Sequence, residues 1–319
     1  MTRAAVVGLL LLVLLTACSG GAVPSPEPLG PRFERYVALG DSYSAGPLIP
    51  TTDLAGGCAR SNHNYPSLVA RRLHARTFVD VTCSGATSAD LSGFQHPFPS
   101  SRVPPQLRAV TKGTDLVTVG IGGNDLDLFG TLVNTCTRLR SADPTGDPCT
   151  RQFAARHALS SVLRTIGERV RGALVAVRHK APHATVVLVG YLRLVPDHGT
   201  CSALPLAAGD YAFGRRVSRA LAAAMRQTAH RAGVLFVDMH AASRGHSVCS
   251  HHPWVNGAVT DRQRALAYHP LLSGMRADAR HVLSAIRRPD PSRVTRGYGH
   301  FTRGIPLAKR PQRWGSRAT

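Results

Sequence analysis

"YVALGDSYSAG", residues 36–46, is the stretch on which the reading of this chain turns. Tyr36-Val37-Ala38-Leu39 is a short apolar run that stops at Gly40, and Asp41 and Ser42 follow at once. Such a run predicts a strand buried on both faces, as in a parallel sheet. Gly-Asp-Ser by itself suits a turn or a helix cap. A serine nucleophile at the end of a buried strand accounts for the same residues and also gives the hydroxyl a purpose.

Four more runs of the same character follow, at 77–81, 115–119, 185–189 and 234–237. Helical patterns lie between and after them, at 65–73, 151–178, 207–232 and 271–286. In the second of these, Leu163, Ile166, Val170, Leu174 and Val177 recur at spacings of three and four, which makes one apolar face that ends before Pro182. Gly233 is a natural stop for the third. Strand–helix alternation predicts right-handed βαβ units and a parallel sheet, and no internal repeat interrupts it.

A chain of 319 residues with 43% hydrophobic content fits one α/β domain with insertions. Its net charge of +21 raises nucleic acid, an anionic membrane or an acidic polymer as partners. The N-terminus narrows these. Arg3, an apolar run over 4–15 and Thr16-Ala17-Cys18 have the form of a signal peptide over 1–17, too short to span a membrane comfortably. Leu15-Thr16-Ala17-Cys18 also resembles a bacterial lipobox, in which Cys18 is lipidated and becomes the new N-terminus. The alternative is ordinary secretory cleavage with Cys18 incidental; either predicts export. Residues 18–32, rich in Gly, Ser and Pro, read as a flexible tether, and 33–288 as the folded domain. In 289–319, Arg293, Arg296, Arg303, Lys309, Arg310, Arg313 and Arg317 meet a single acid, Asp290, so this basic tail is expected to be disordered. Much of the net charge therefore belongs to a tail of an exported protein, which argues against nucleic acid. An anionic envelope polymer is the partner such a tail would suit.

Seven cysteines leave six once Cys18 is set aside. They permit fifteen pairings, of which nearest-neighbour pairing (Cys58–Cys83, Cys136–Cys149, Cys201–Cys249) is the simplest. In an oxidising compartment each bridge can contribute roughly 2–4 kcal/mol. No CxxC spacing suggests zinc, and no cofactor motif is present.

Open parallel sheets carry their sites at the carboxyl ends of the strands. Ser42 follows the first run, Gly85 the second (Cys83-Ser84-Gly85-Ala86-Thr87), and Asn124 the third (Gly122-Gly123-Asn124-Asp125). His269 precedes the last helix. Acyl transfer through serine needs a nucleophile, a base and donors aimed at the developing oxyanion. Ser42 supplies the hydroxyl and its backbone amide, Gly85 a second amide, Asn124 a side-chain amide, and His269 the base. Each is unremarked alone. Gly-Asp-Ser and Gly-Gly-Asn-Asp are common turns, Gly85 suits any loop, and His269 is one of 15 histidines. Their joint occurrence, each at the end of its own element, is what points to chemistry.

In these blocks the chain resembles the SGNH, or GDSL-type, hydrolases over roughly residues 33–288. "ALGDSYSAG", "CSGAT", "VGIGGND" and "AYHPLLSGMRADA" are similar to the family's successive motifs. The six-cysteine layout and "HHPWVNG", residues 251–257, resemble more narrowly its secreted actinobacterial esterases and lipases. The resemblance implies a three-layer α/β/α sandwich of flavodoxin type with a five-stranded parallel sheet. It implies Ser42 as nucleophile, His269 as base, and an oxyanion hole from Ser42, Gly85 and Asn124. One position departs. The family usually has Asp three residues before the histidine, where this chain has Leu266. The backbone carbonyl of Leu266 is the expected substitute, as in some actinobacterial relatives. Asp261 reaching back under the histidine is the alternative, and Asp238, at the end of the last strand, is a further acid. Asp41, on an extended backbone beside Ser42, points away from it and reads as structural. Asp125 reads as loop-organising. Trp254 lines an acyl pocket or is a core or lid aromatic.

The expectation is a secreted, lipid-anchored serine esterase or lipase, monomeric and without metal or cofactor. Deacetylation of, or acyl transfer to, an envelope polysaccharide is the enzymatic alternative. A non-catalytic envelope-binding lipoprotein is the alternative from another class.

Overall fold

A computed structural model describes residues 33–97, 102–154 and 158–287. The expected signal segment, Cys18, the tether and the basic tail lie outside the described residues.

The five apolar runs form one parallel sheet: β1 (Arg35–Gly40), β2 (Thr77–Asp80), β3 (Leu116–Gly120), β4 (Thr185–Val189) and β5 (Leu235–Val237), in the order β2-β1-β3-β4-β5. Tyr36 pairs with Phe78 on one side and Leu116 on the other, and Gly40 lies opposite Gly120. β1 and β3 are the central strands and are buried from Tyr36 to Gly40 and throughout, respectively, which is why they read as unbroken apolar runs. β2 and β5, at the edges, are only partly buried.

The helices that border the sheet and the site include α1 (Ser42–Ala45), α2 (Tyr65–Leu73), α3 (Ala158–Lys180), α4 (Asp210–Ala232) and α5 (Leu272–Arg287). α2 packs against α5 and α3 against α4. A parallel sheet with right-handed crossovers carries such helix pairs on its two faces, which is the layered α/β arrangement expected. The chain leaves β1 toward β2 in one direction and returns to β3 on the other side. That reversal opens a crevice at the carboxyl ends of β1 and β3, where Ser42 and Asn124 follow.

Boundaries moved where a side chain was needed elsewhere. Residue 115 was expected in a strand, but its carboxylate accepts from the amides of Glu34 (2.7 Å) and Arg35 (3.0 Å) and so anchors the start of β1. Within the pattern at 151–178 the described residues are helical, over Pro148–Ala154 and in α3, and 155–157 lie outside the described residues. α4 begins at Asp210 rather than 207. The buried Asp210 carboxylate accepts from the amides of Cys149 (3.0 Å) and Thr150 (2.7 Å), capping the neighbouring helix. Gly233 ends α4 in the left-handed conformation, with φ +64°. All three nearest-neighbour disulfides are present, Cys58–Cys83, Cys136–Cys149 and Cys201–Cys249.

Candidate active site

Ser42 is the first residue of α1, a single turn that leaves the end of β1. Asp41 caps this turn: its Oδ1 accepts from the Tyr43 amide at 2.9 Å. The turn can start so close to the sheet because of two glycines. A Cβ on Gly40 would lie 2.4 Å from Ser44 Oγ, and one on Gly120 2.3 Å from the same atom. Ser44 therefore fills the space both glycines leave, and α1 sits directly on the ends of β1 and β3. Gln106, buried at the start of the short 3-10 helix Gln106–Ala109, closes the edge of Gly40 by accepting from its amide at 2.8 Å and donating to its carbonyl at 2.9 Å.

His269 Nε2 lies 2.8 Å from Ser42 Oγ. Its Nδ1 lies 2.7 Å from the carbonyl of Ala267. The acceptor is therefore one residue further along than expected. The Leu266 carbonyl is turned to the His269 backbone amide (3.2 Å) and to Asn256 Nδ2 (3.3 Å). Tyr268, in the left-handed region at φ +62°, doubles the chain back so that the carbonyl two residues before the ring can reach it. Tyr43 Oη donates to the Tyr268 carbonyl at 2.7 Å and holds that reversal from below. Asp261 is not under the histidine; it closes its own turn, with Oδ1 accepting from the Gln263 amide at 2.9 Å. Asp238 caps the turn Met239–Ala242 and pairs with Arg226.

A carbonyl acceptor fixes the imidazole with its proton on Nδ1, which leaves Nε2 as the acceptor for the serine hydroxyl. Burial pushes the His269 pKa down to about 4, and the Ala267 carbonyl, which favours the protonated ring, offsets only part of this. The ring is thus neutral near pH 7, the state a base requires.

The loops after β2 and β3 are tied to this pair and to each other. The Asp41 amide donates to the Gly120 carbonyl at 2.9 Å. Asn124 Nδ2 donates to the carbonyl of Ala86, beside Gly85, at 2.9 Å. Asp125 accepts from Ser88 Oγ at 2.5 Å and from the Ser88 amide at 2.9 Å, so it does organise the loops. Gly85 adopts φ +79°, a conformation that favours glycine, and Cys58–Cys83 pins the loop two residues before it. Among the described residues neither the Ser42 amide nor the Gly85 amide donates elsewhere.

Asp41 is engaged away from the histidine. Its Oδ2 accepts from Tyr191 Oη at 2.5 Å, and Tyr191 Oη accepts in turn from the Gly123 amide at 2.6 Å. Burial raises the Asp41 pKa to about 7, against the opposing pull of the Tyr191 and Tyr43 hydrogen bonds. Tyr43, Phe129 and Tyr191 pack ring to ring beside it, with centroids 4.9–5.6 Å apart, and the Tyr43 ring lies 5.6 Å from that of His269. Trp254 stacks on His246 at 4.0 Å and packs, half-buried, against the hydrophobic core. Among the described residues no group of three or more His, Cys, Asp or Glu could hold a metal.

Sequence reasoning missed Tyr191, Gln106, Ser44, Tyr43, Asn256 and the Ala267 carbonyl. Tyr43, Ser44 and Asn256 lie inside the blocks ALGDSYSAG and HHPWVNG, but neither block says what their side chains hold, and Tyr191 and Gln106 sit in no pattern that marks them. The small residues facing Ser44, Gly40 and Gly120, were a further signal.

Comparison with known proteins gives the family of the chain. The model of the GDSL-like lipase/acylhydrolase family matches residues 38–277. Lipase 2 of Streptomyces coelicolor is 36% identical over 292 residues, covering 88% of this chain and 94% of that protein. The lipase of Streptomyces rimosus is 31% identical, covering 85% and 93%. Among solved structures, phospholipase A1 from Streptomyces albidoflavus superposes with a TM-score of 0.65 at 31% identity, covering 79% of this chain and 99% of that one.

Proposed function

Because the chain belongs to the GDSL-like lipase/acylhydrolase family and is a carboxylic ester hydrolase, we propose that it works through an acyl-serine intermediate on Ser42, with His269 as its base. The observation that carries this reading is the 2.8 Å approach of His269 Nε2 to Ser42 Oγ in a ring whose Nδ1 is already committed to Ala267. Nε2 takes the hydroxyl proton as Oγ attacks the ester carbonyl carbon. The carbonyl oxygen becomes an oxyanion, met by the amides of Ser42 and Gly85 and by Asn124 Nδ2. Collapse breaks the bond to the alcohol oxygen, which leaves with the proton from Nε2. Water then repeats the sequence on the acyl-enzyme: Nε2 takes its proton, and the acid leaves as Ser42 Oγ recovers that proton.

The imidazolium formed on the way is stabilised by a carbonyl dipole rather than a full negative charge. Its Nδ1 proton still has a fixed acceptor, so orientation and tautomer are kept while some electrostatic stabilisation is given up. Relatives named as lipases and a neighbour named as a phospholipase support a lipid ester as substrate. Three disulfides, the signal-like N-terminus and a solved relative described as an extracellular lipase support export. Lipidation at Cys18 is part of the same reading.

A fluorophosphonate probe should label the purified protein and not its Ser42→Ala variant, and that variant should lose turnover on nitrophenyl esters. Substantial turnover by a well-folded Ser42→Ala protein would overturn the assignment. The acyl-chain profile on the same esters separates a lipase from a deacetylase, which would accept only the acetyl ester.

A further inference from the structure

We propose that Asn256 is the positioning residue that aims the Ala267 carbonyl at His269, the acceptor that stands in for the carboxylate missing at position 266. The proposal rests on His269 being the base. The segment Trp254–Gly257 lies antiparallel to the histidine segment. The Leu271 amide donates to the Trp254 carbonyl (2.9 Å), the Asn256 amide to the His269 carbonyl (2.8 Å), and the Tyr268 amide to the Gly257 carbonyl (3.0 Å). Asn256 thus holds the main chain of His269 itself.

Its side chain holds the rest of the loop. The two hydrogens of Nδ2 are shared among the carbonyls of Val259 (2.9 Å), Ala265 (2.9 Å) and, more weakly, Leu266 (3.3 Å), while Oδ1 accepts from the Gly257 amide (3.0 Å). Two successive carbonyls, 265 and 266, are drawn to one amide group. The next carbonyl, that of Ala267, then faces the other way, toward Nδ1 of His269 at 2.7 Å. A carboxylate at 266 would have supplied the acceptor from a side chain. Here the acceptor is a peptide group, and a peptide group can be aimed only by fixing its neighbours. Asn256 fixes them from both ends.

The amide is specific to this task. An aspartate in its place has the same shape but no donor, and would set a carboxylate against three carbonyl oxygens. Loss of the aim should leave His269 near Ser42 but poorly oriented, and misplacement of a reacting group by about 1 Å can cost about 10²-fold in rate.

The test compares the wild-type protein with Asn256→Asp and Asn256→Ala. Steady-state kinetics on a soluble nitrophenyl ester should show kcat lowered by one to two orders of magnitude with KM little changed. The acidic limb of kcat/KM should move to lower pH, because the lost Ala267 contact is the one that raises the ring's pKa. A purely structural contribution would lower the melting temperature and leave that limb in place. The proton resonance of the His269 ring nitrogen gives a readout that needs no turnover. Held by Ala267, it should be a slowly exchanging downfield signal, lost in Asn256→Asp. A kcat within about threefold of wild type, a pure KM effect, or an unchanged ring-proton signal would each overturn the proposal. Failure of the base assignment would look different: the wild-type ring signal would persist while a His269→Ala variant kept full fluorophosphonate reactivity.

Discussion

Asp41 and Tyr191 face each other at 2.5 Å, with the tyrosine hydroxyl donating to Oδ2 of the carboxyl group next to the serine. The contact joins the end of β1 to the loop after β4, and through the Gly123 amide to the loop after β3. It uses the acid that a reader of the sequence would most readily assign to a triad. Asp41→Asn should therefore keep kcat within about tenfold, whereas loss of the acid in a charged triad costs about 10⁴. Asp261→Asn should stay within a few-fold, since that carboxylate serves only its own turn. Steady-state assay of the two variants checks both statements, and a loss near 10⁴ in either would restore a charged third member.

Asn124→Ala should lower kcat by about 10²–10³ while KM moves little, as expected when one oxyanion donor is removed. Part of the loss will be positional, because Nδ2 also holds the Ala86 carbonyl. A change confined to KM would assign Asn124 to substrate binding instead.

The pH profile should be set by His269. Its pKa is lowered to about 4 by burial, so the neutral ring persists well into the acid range. The limb of kcat/KM should therefore fall away near pH 4, as protonation of Nε2 removes the base. Measurement on a soluble ester from about pH 3 to 8 checks this, and an inflection at the ordinary histidine value of about 6.5 would contradict it.

Asp278 lies on the buried face of α5, and its Oδ1 has no hydrogen-bond partner among the described residues. Burial alone raises its pKa well above the usual carboxylate range. The folded state then binds a proton more tightly than the unfolded chain. Stability should fall as pH rises above the unfolded value of about 3.9, and level off past the folded value. Asp278→Asn is neutral throughout. It should melt higher than wild type at neutral pH, and the advantage should shrink to nothing in acid. Thermal melts across pH decide this, and equal melting at pH 7 would refute it.

Cys18→Ala should release the protein from the membrane fraction into the medium. Unchanged retention, followed by fractionation of cells expressing the variant, would transfer the anchoring role to the basic tail.

The sheet, and the residues that follow its strands, are legible in the letters alone. A central parallel strand is buried on both faces, so β1 and β3 had to be written as apolar runs. Ser42, Gly85 and Asn124, which follow β1, β2 and β3, were candidates from reading past each strand, and His269 from the motif around it; the fold brings His269 Nε2 to 2.8 Å from Ser42 Oγ. What orients the histidine was decided only by the tertiary structure. Every residue carries a carbonyl, so nothing in the letters distinguishes Ala267 from Leu266. The choice depends on a left-handed Tyr268 and on where Asn256, 13 positions from His269, directs its amide. The same is true of Asp41. Its neighbour in sequence is the nucleophile, but its partner in space is Tyr191, 150 positions away. Local pattern reports which backbone a residue adopts and which face it covers. The partner of a buried polar group is set by the packing of distant loops, and that exists only once the chain has folded.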